Sequence, residues 1–282
     1  MKNFLLFLSS IFLVTSCTIN ENVTVSEQGE IEYVQRIEIP QVAAMMGALS
    51  DEDKIQFNQI SNSEHNYLDF IMSLQSFGET KTTSEMEKYM LYKEELHAID
   101  FIKFRLDLRD NFAFEIINRS KSADDFNQKN TIIEEVFDQI KLKENARVEA
   151  ELAAETPKQR KKRLKKGEEI ESIFGDNPLS GLSSMSYAYD GKTFKKNIDA
   201  VKYLKGASMD ETFKTEEEKA MMNSMLKQMK FKTKYTFPRK IKSVNVQDAM
   251  LTADGKSFVV EYTLEQILNR PEITDFEVIL ED

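Results

Sequence analysis

The chain has 282 residues, of which 41% are hydrophobic and 30% charged, and its 48 acidic and 38 basic side chains leave a net charge of -10. That length supports one large domain or two smaller ones, each with a core. The acidic balance repels polyanions, so nucleic acid is not an expected partner. Nine glycines, five prolines and no tryptophan argue against a repeat propeller and a sugar-stacking platform.

The chain opens Met1-Lys2-Asn3 and continues as the apolar run Phe4 to Val14. A charged start before a short apolar stretch is the anatomy of an export signal. A permanent membrane helix would need about 20 apolar residues to cross a hydrocarbon core of roughly 30 Å. The run closes on Val14-Thr15-Ser16-Cys17, an aliphatic residue, two small ones and a thiol. This segment resembles the lipobox of bacterial lipoprotein signal peptides. The resemblance implies a diacylglyceryl group on the Cys17 thiol, cleavage directed by Val14, Thr15 and Ser16, and acylation of the new amino terminus. Residues 1–16 are then a signal peptide.

Cys17 is the single cysteine of the chain. No disulfide can form, although exported proteins sit where disulfides persist. The alternative, an ordinary export signal with an incidental cysteine, leaves a free thiol in an oxidising compartment. Each buried methylene contributes about 0.8 kcal/mol, so one acyl chain holds marginally and two or three hold firmly. Thr18-Ile19-Asn20-Glu21 carries no acidic cluster. By resemblance to Bacteroidetes lipoproteins, this implies a body at the outer membrane facing the periplasm.

From Asn22 the side chains alternate through Val23 and Val25, and Ile31, Tyr33, Ile37 and Ile39 continue on one face after Ser26-Glu27-Gln28-Gly29. This predicts a β-hairpin. Pro40 ends it, and helical periodicity is expected from Pro40 to Leu49 and on to about Leu96. Ser63 and Ser84 are the candidate N-caps there, with Leu68, Ile71, Met72 and Leu74 as an apolar stripe. A second hairpin is predicted from Ile102, Phe104, Leu106 and Leu108, returning through Phe112, Phe114 and Ile116. Ser122 to Leu142 reads as a helix burying Phe126, Ile133, Val136, Phe137 and Ile140. Glu144 to Glu171, which contains the basic run Lys158 to Lys166, has few apolar residues and predicts a solvated helix or a mobile loop.

In the back half Met185, Tyr187 and Tyr189 alternate up to the turn signal Asp190-Gly191. Met209 to Lys230 predicts an amphipathic helix, and Phe231, Thr233, Tyr235 and Phe237 a strand ended by Pro238. Ile241 to Val246 is expected to pair with that strand. Asp254-Gly255 makes the next turn before a strand through Phe258, Val260 and Tyr262. Leu264 to Leu268 gives a short helix broken by Pro271, and Phe276, Val278 and Leu280 a closing strand. The stretch Tyr235 to Lys242, with Asp254-Gly255-Lys256 after it, resembles a segment of uncharacterised Bacteroidetes envelope lipoproteins. That resemblance implies no activity.

No catalytic residue, metal ligand or cofactor is assigned from the sequence. The two histidines, His65 and His97, have no partner pattern, and capping or surface roles are the plain reading. A carboxylate pair leaves no sequence signature, so Asp107 and Asp110 at the second hairpin are candidates for one, against the simpler role of solvating a turn. Met221, Met222, Met225 and Met229 could offer thioethers to Cu(I), but a Met stripe at helical spacing ordinarily fills core space. The basic run could dock on acidic headgroups or a partner, against a solvated segment balanced by Glu149, Glu151, Glu155, Glu168 and Glu169.

The expected class is α+β, an antiparallel sheet built from hairpins with helices packed on it. The expected divisions are 17–143, a charged linker or loop at 144–180, and 181–282, the last being separate from the first or continuous with it. The expected function is that of a membrane-anchored envelope component that binds or assembles, through lipidated Cys17 and an envelope protein partner. A carrier of lipid or another apolar ligand, and a carboxylate-dependent hydrolase, are the other two classes.

Overall fold

A computed structural model describes residues 18–38, 61–75, 89–107, 113–166, 177–206 and 229–282. The fold is α+β, with mostly antiparallel strands. The first hairpin pairs β1 (Thr18–Val25) with β2 (Ile31–Glu38), and Gly29 takes a positive φ of 83° in the turn. The second pairs β3 (Ile102–Asp107) with β4 (Ala113–Ser120), and β4 also lies along β2.

The back half adds β5 (Met185–Tyr189), β6 (Thr193–Ile198), β7 (Lys230–Thr236), β8 (Ile241–Val244), β9 (Met250–Leu251), β10 (Ser257–Thr263) and β11 (Phe276–Leu280). Two sheets result, a seven-stranded one in the order β3-β4-β2-β1-β7-β10-β9 and a four-stranded one in the order β5-β6-β11-β8. β7 lies parallel to β1, so strands from both ends of the chain share the larger sheet. The expected pairing of Ile241–Val246 with the preceding strand does not occur. β8 joins β11 in the smaller sheet, and the free side of β7 is taken by β10.

The helices, in chain order, are α1 (Tyr67–Gln75), α2 (Lys93–His97), α3 (Ala123–Ala154), α4 (Pro157–Lys166), α5 (Ser180–Ser183), α6 (Ala200–Gly206) and α7 (Leu264–Asn269). Asn66, rather than Ser63, caps α1, its side chain accepting the Asp69 N–H at 2.8 Å. α3 starts where Ser122 accepts the Asp125 N–H, and it buries Phe126, Asn130, Ile133, Phe137, Ile140 and Glu144 along one stripe. It runs twelve residues past Leu142, the expected end, because the Ala-, Glu- and Arg-rich continuation has high helix propensity and Arg147 bridges Glu144 and Glu151 one turn away. Thr156 and Gln159 then cap each other's turn, and Pro157 opens α4.

One face of the large sheet carries the core. Over its β3-β4-β2 half lie α1 and α3, through Tyr67, Phe70, Phe104 and Phe137, with ring centroids of neighbouring pairs 5.2 to 5.9 Å apart. Over its β1-β7-β10 half lies the small sheet, where Phe276 meets Tyr235 at 4.6 Å and Phe258 at 5.2 Å. Tyr67 meets Phe104 and Phe137, and Phe276 meets Tyr235 and Phe258, edge to face, while Phe70 stacks on Phe104 at 25°, both being arrangements that ring quadrupoles favour. α3 also closes the edge of the small sheet. Asn127 gives its amide to the Tyr187 carbonyl at 2.8 Å and accepts the Tyr187 N–H at 2.9 Å, standing in for a neighbouring strand. Asn130, buried one turn on, donates to the carbonyls of Leu182 and Met185.

Candidate functional site

The two sheets meet around charge. On β1 the residues facing the core are Ile19, Glu21, Val23 and Val25, so Glu21 occupies a position that alternation gives to an aliphatic side chain. On β6 the inward set is Phe194, Lys196 and Ile198. Glu21 is 1% exposed and Lys196 3%, and Lys196 Nζ donates to Glu21 Oε1 at 3.1 Å across 175 residues of chain. The Tyr235 hydroxyl donates to the same oxygen at 2.5 Å, and the Tyr187 hydroxyl lies 3.5 Å from that of Tyr235. Lys196 Nζ also stands 5.6 Å from the centre of the Tyr235 ring.

Burial, then the nearby Glu21 charge, pushes the hydroxyls of Tyr33, Tyr187 and Tyr235 well above their ordinary range, so they remain hydrogen-bond donors. Tyr203, on α6, is pushed up to about 12 by the same two causes in the same order. Beside the pair lies a cavity of about 100 Å³, walled by Ile19, Glu21, Lys196, Tyr203, Phe231 and Leu264 among others. It is well under the roughly 300 Å³ at which ligand pockets begin. Taking two charges out of water costs several kcal/mol per ion, and their attraction with added hydrogen bonds offsets this. The arrangement joins the sheets at a defined register.

A second, open groove of about 480 Å³ lies along the β10 edge, with Asp248, Glu261, Gln266 and Arg270 in its wall. β9 holds two residues against β10 there, and Asp248 takes a positive φ of 62°.

The residues singled out in the sequence are dispersed. Cys17, Val14, Thr15 and Ser16 lie outside the described residues, and so do Asp110, Met221, Met222, Met225, Ser84 and the helix expected at Pro40–Leu49. Thr18, next to Cys17, is already in β1, paired with Glu38 on one side and Lys230 on the other. Asp107 is buried and sits on the opposite face of the sheet from Glu21. It accepts Arg36 at 2.8 Å, and Arg36 also reaches Glu115 at 2.8 Å. Two carboxylates therefore flank a guanidinium, which is an ion-pair network.

His65 bridges to Phe104 through its backbone, beside the edge strand β3. The exposed His97 sits 3.0 Å from Asp100. Met229 meets the start of α7 through its carbonyl, which accepts the Leu264 N–H. Among the described residues no group of three or more His, Cys, Asp or Glu side chains is placed to hold a metal ion. The Glu21–Lys196 pair is not legible from residue type, because each partner alone resembles an ordinary surface residue. The available signal was phase: Glu21 falls in step with Val23 and Val25, and Lys196 with Phe194 and Ile198.

No protein-family model matches the chain, and no curated protein matches it. Among solved structures, the folded domain of the Mycobacterium tuberculosis protein LppM, determined by NMR, is similar over 95% of this chain and 93% of its own. Identity is 6% and the TM-score 0.32. No helix among the described residues is long and apolar enough to cross a membrane.

Proposed function

We propose that this chain is a lipid-anchored envelope protein whose folded body serves as a binding or assembly component at the outer membrane, facing the periplasm. The observation that carries the reading is Val14-Thr15-Ser16-Cys17 at the end of a short apolar run, in a chain with one cysteine. The buried Glu21–Lys196 pair, with its tyrosines, serves to hold the sheets together.

Replacing Cys17 with Ala tests the anchor. Intact mass of the wild type should show cleavage before Cys17 and added acyl chains, and the variant should leave the membrane fraction. A wild-type mass without acyl chains, or a variant that stays membrane-bound, overturns the proposal. Capture of partners by crosslinking in intact cells, followed by mass spectrometry, then names what the body binds.

A further inference from the structure

We infer that the end of the large sheet at which β1 begins is the surface that meets the bilayer, and that the body stands on it with no tether between. This inference rests on the lipid anchor proposed above. Lipid on Cys17 is one residue from Thr18, about 3.8 Å along the chain. Thr18 is fixed in the sheet, registered with Glu38 of β2 and Lys230 of β7 along an interior strand whose ladders run the length of β1. Between Thr18 and the lipid there would be only Cys17 and its thioether arm.

The register says what shares that end. Thr263 of β10 pairs with Lys230, so α7 starts there, and the Leu264 N–H closes onto the Met229 carbonyl. In the small sheet Ile198 lines the same cavity as Ile19, which brings the start of α6 to this end. The groups at this end include the exposed Lys230, the half-buried Glu38 registered with Thr18, and Val201, which is 77% exposed. A basic group and an apolar one suit the boundary of an anionic bilayer, where lysine meets headgroup phosphate and the valine meets the acyl margin. The opposite end, with the turn Ser26–Gly29, lies seven strand residues higher, about 23 Å at roughly 3.3 Å per residue.

The test uses the full-length lipidated protein purified from membranes and reconstituted into phosphatidylethanolamine and phosphatidylglycerol vesicles that carry a quencher on the headgroup. A fluorophore is placed on Lys230→Cys or on Gln28→Cys. Cys17, blocked as a thioether, does not react. Quenching at position 230 should exceed that at position 28 several-fold. A flexible Gly-Ser linker of about 20 residues inserted between Cys17 and Thr18, with a root-mean-square span of about 25 Å, should abolish the difference. Equal quenching at the two sites without the linker would mean that the sheet lies flat, and quenching at neither would mean a body held away; both overturn the inference. Failure of the anchor itself is told apart by its own signature, an intact mass without acyl chains and no flotation with the vesicles.

Discussion

Replacing Lys196 with Met removes one member of a buried ion pair while nearly preserving its volume. In the folded protein Glu21 keeps the Tyr235 hydroxyl but loses the cation 3.1 Å away. At an effective dielectric of about 20, the lost attraction at that distance is about 5 kcal/mol. Breaking a buried pair from one side typically costs about 3–5 kcal/mol, because the remaining charge stays in a medium that does not solvate it. For a chain of this size the midpoint of thermal unfolding should fall by roughly 10 °C. Urea unfolding of the purified protein followed by circular dichroism measures the same loss. Pairing Lys196→Met with Glu21→Met removes both charges and should recover more than half of it. A single variant that loses less than about 1 kcal/mol, or a double variant whose cost equals the sum of the two single costs, would refute the reasoning that the pair is buried and coupled.

The buried tyrosines predict a collapse in alkali. Tyr33, Tyr187 and Tyr235 stay protonated when folded, whereas in the unfolded chain they ionise near pH 10. The unfolded state then binds fewer protons, so stability holds below pH 10 and falls above it, by up to about 4 kcal/mol per pH unit for three groups. Reversible phenolate absorbance from all of the tyrosines near pH 10, with the fold retained, would contradict this. Asn130→Leu strands the carbonyls of Leu182 and Met185 and should cost about 1–3 kcal/mol in urea unfolding, whereas a change within a few tenths would show that its two hydrogen bonds are dispensable. Brief trypsin treatment should cut first in Pro157–Lys166, where Lys158, Arg160 and Lys161 are exposed. Protection of that helix while the sheets are cut would show that it is covered by a partner or by lipid.

Local patterns in the sequence determined much of the architecture. Alternation in Val23, Val25, Ile31 and Tyr33 marks the first hairpin, and Asp190-Gly191 and Asp254-Gly255 mark turns in which both glycines take positive φ. The stripe from Phe126 to Ile140 marks the buried face of α3. These features depend on neighbours within a few residues, and periodicity reports them directly. Three decisions belong to the tertiary structure. β7 settles beside β1 because the open side of the first hairpin pairs with an apolar-faced strand more than 200 residues away, and no local pattern encodes a distant parallel partner. β8 crosses to β11, although the Pro238 turn would equally have served a hairpin with β7. Glu21 and Lys196 become a buried pair only when two sheets are stacked face to face. In the sequence each is one charge among many, and burial, which decides whether a charge is a solvated surface group or a coupled interior one, is a property of the assembled layers.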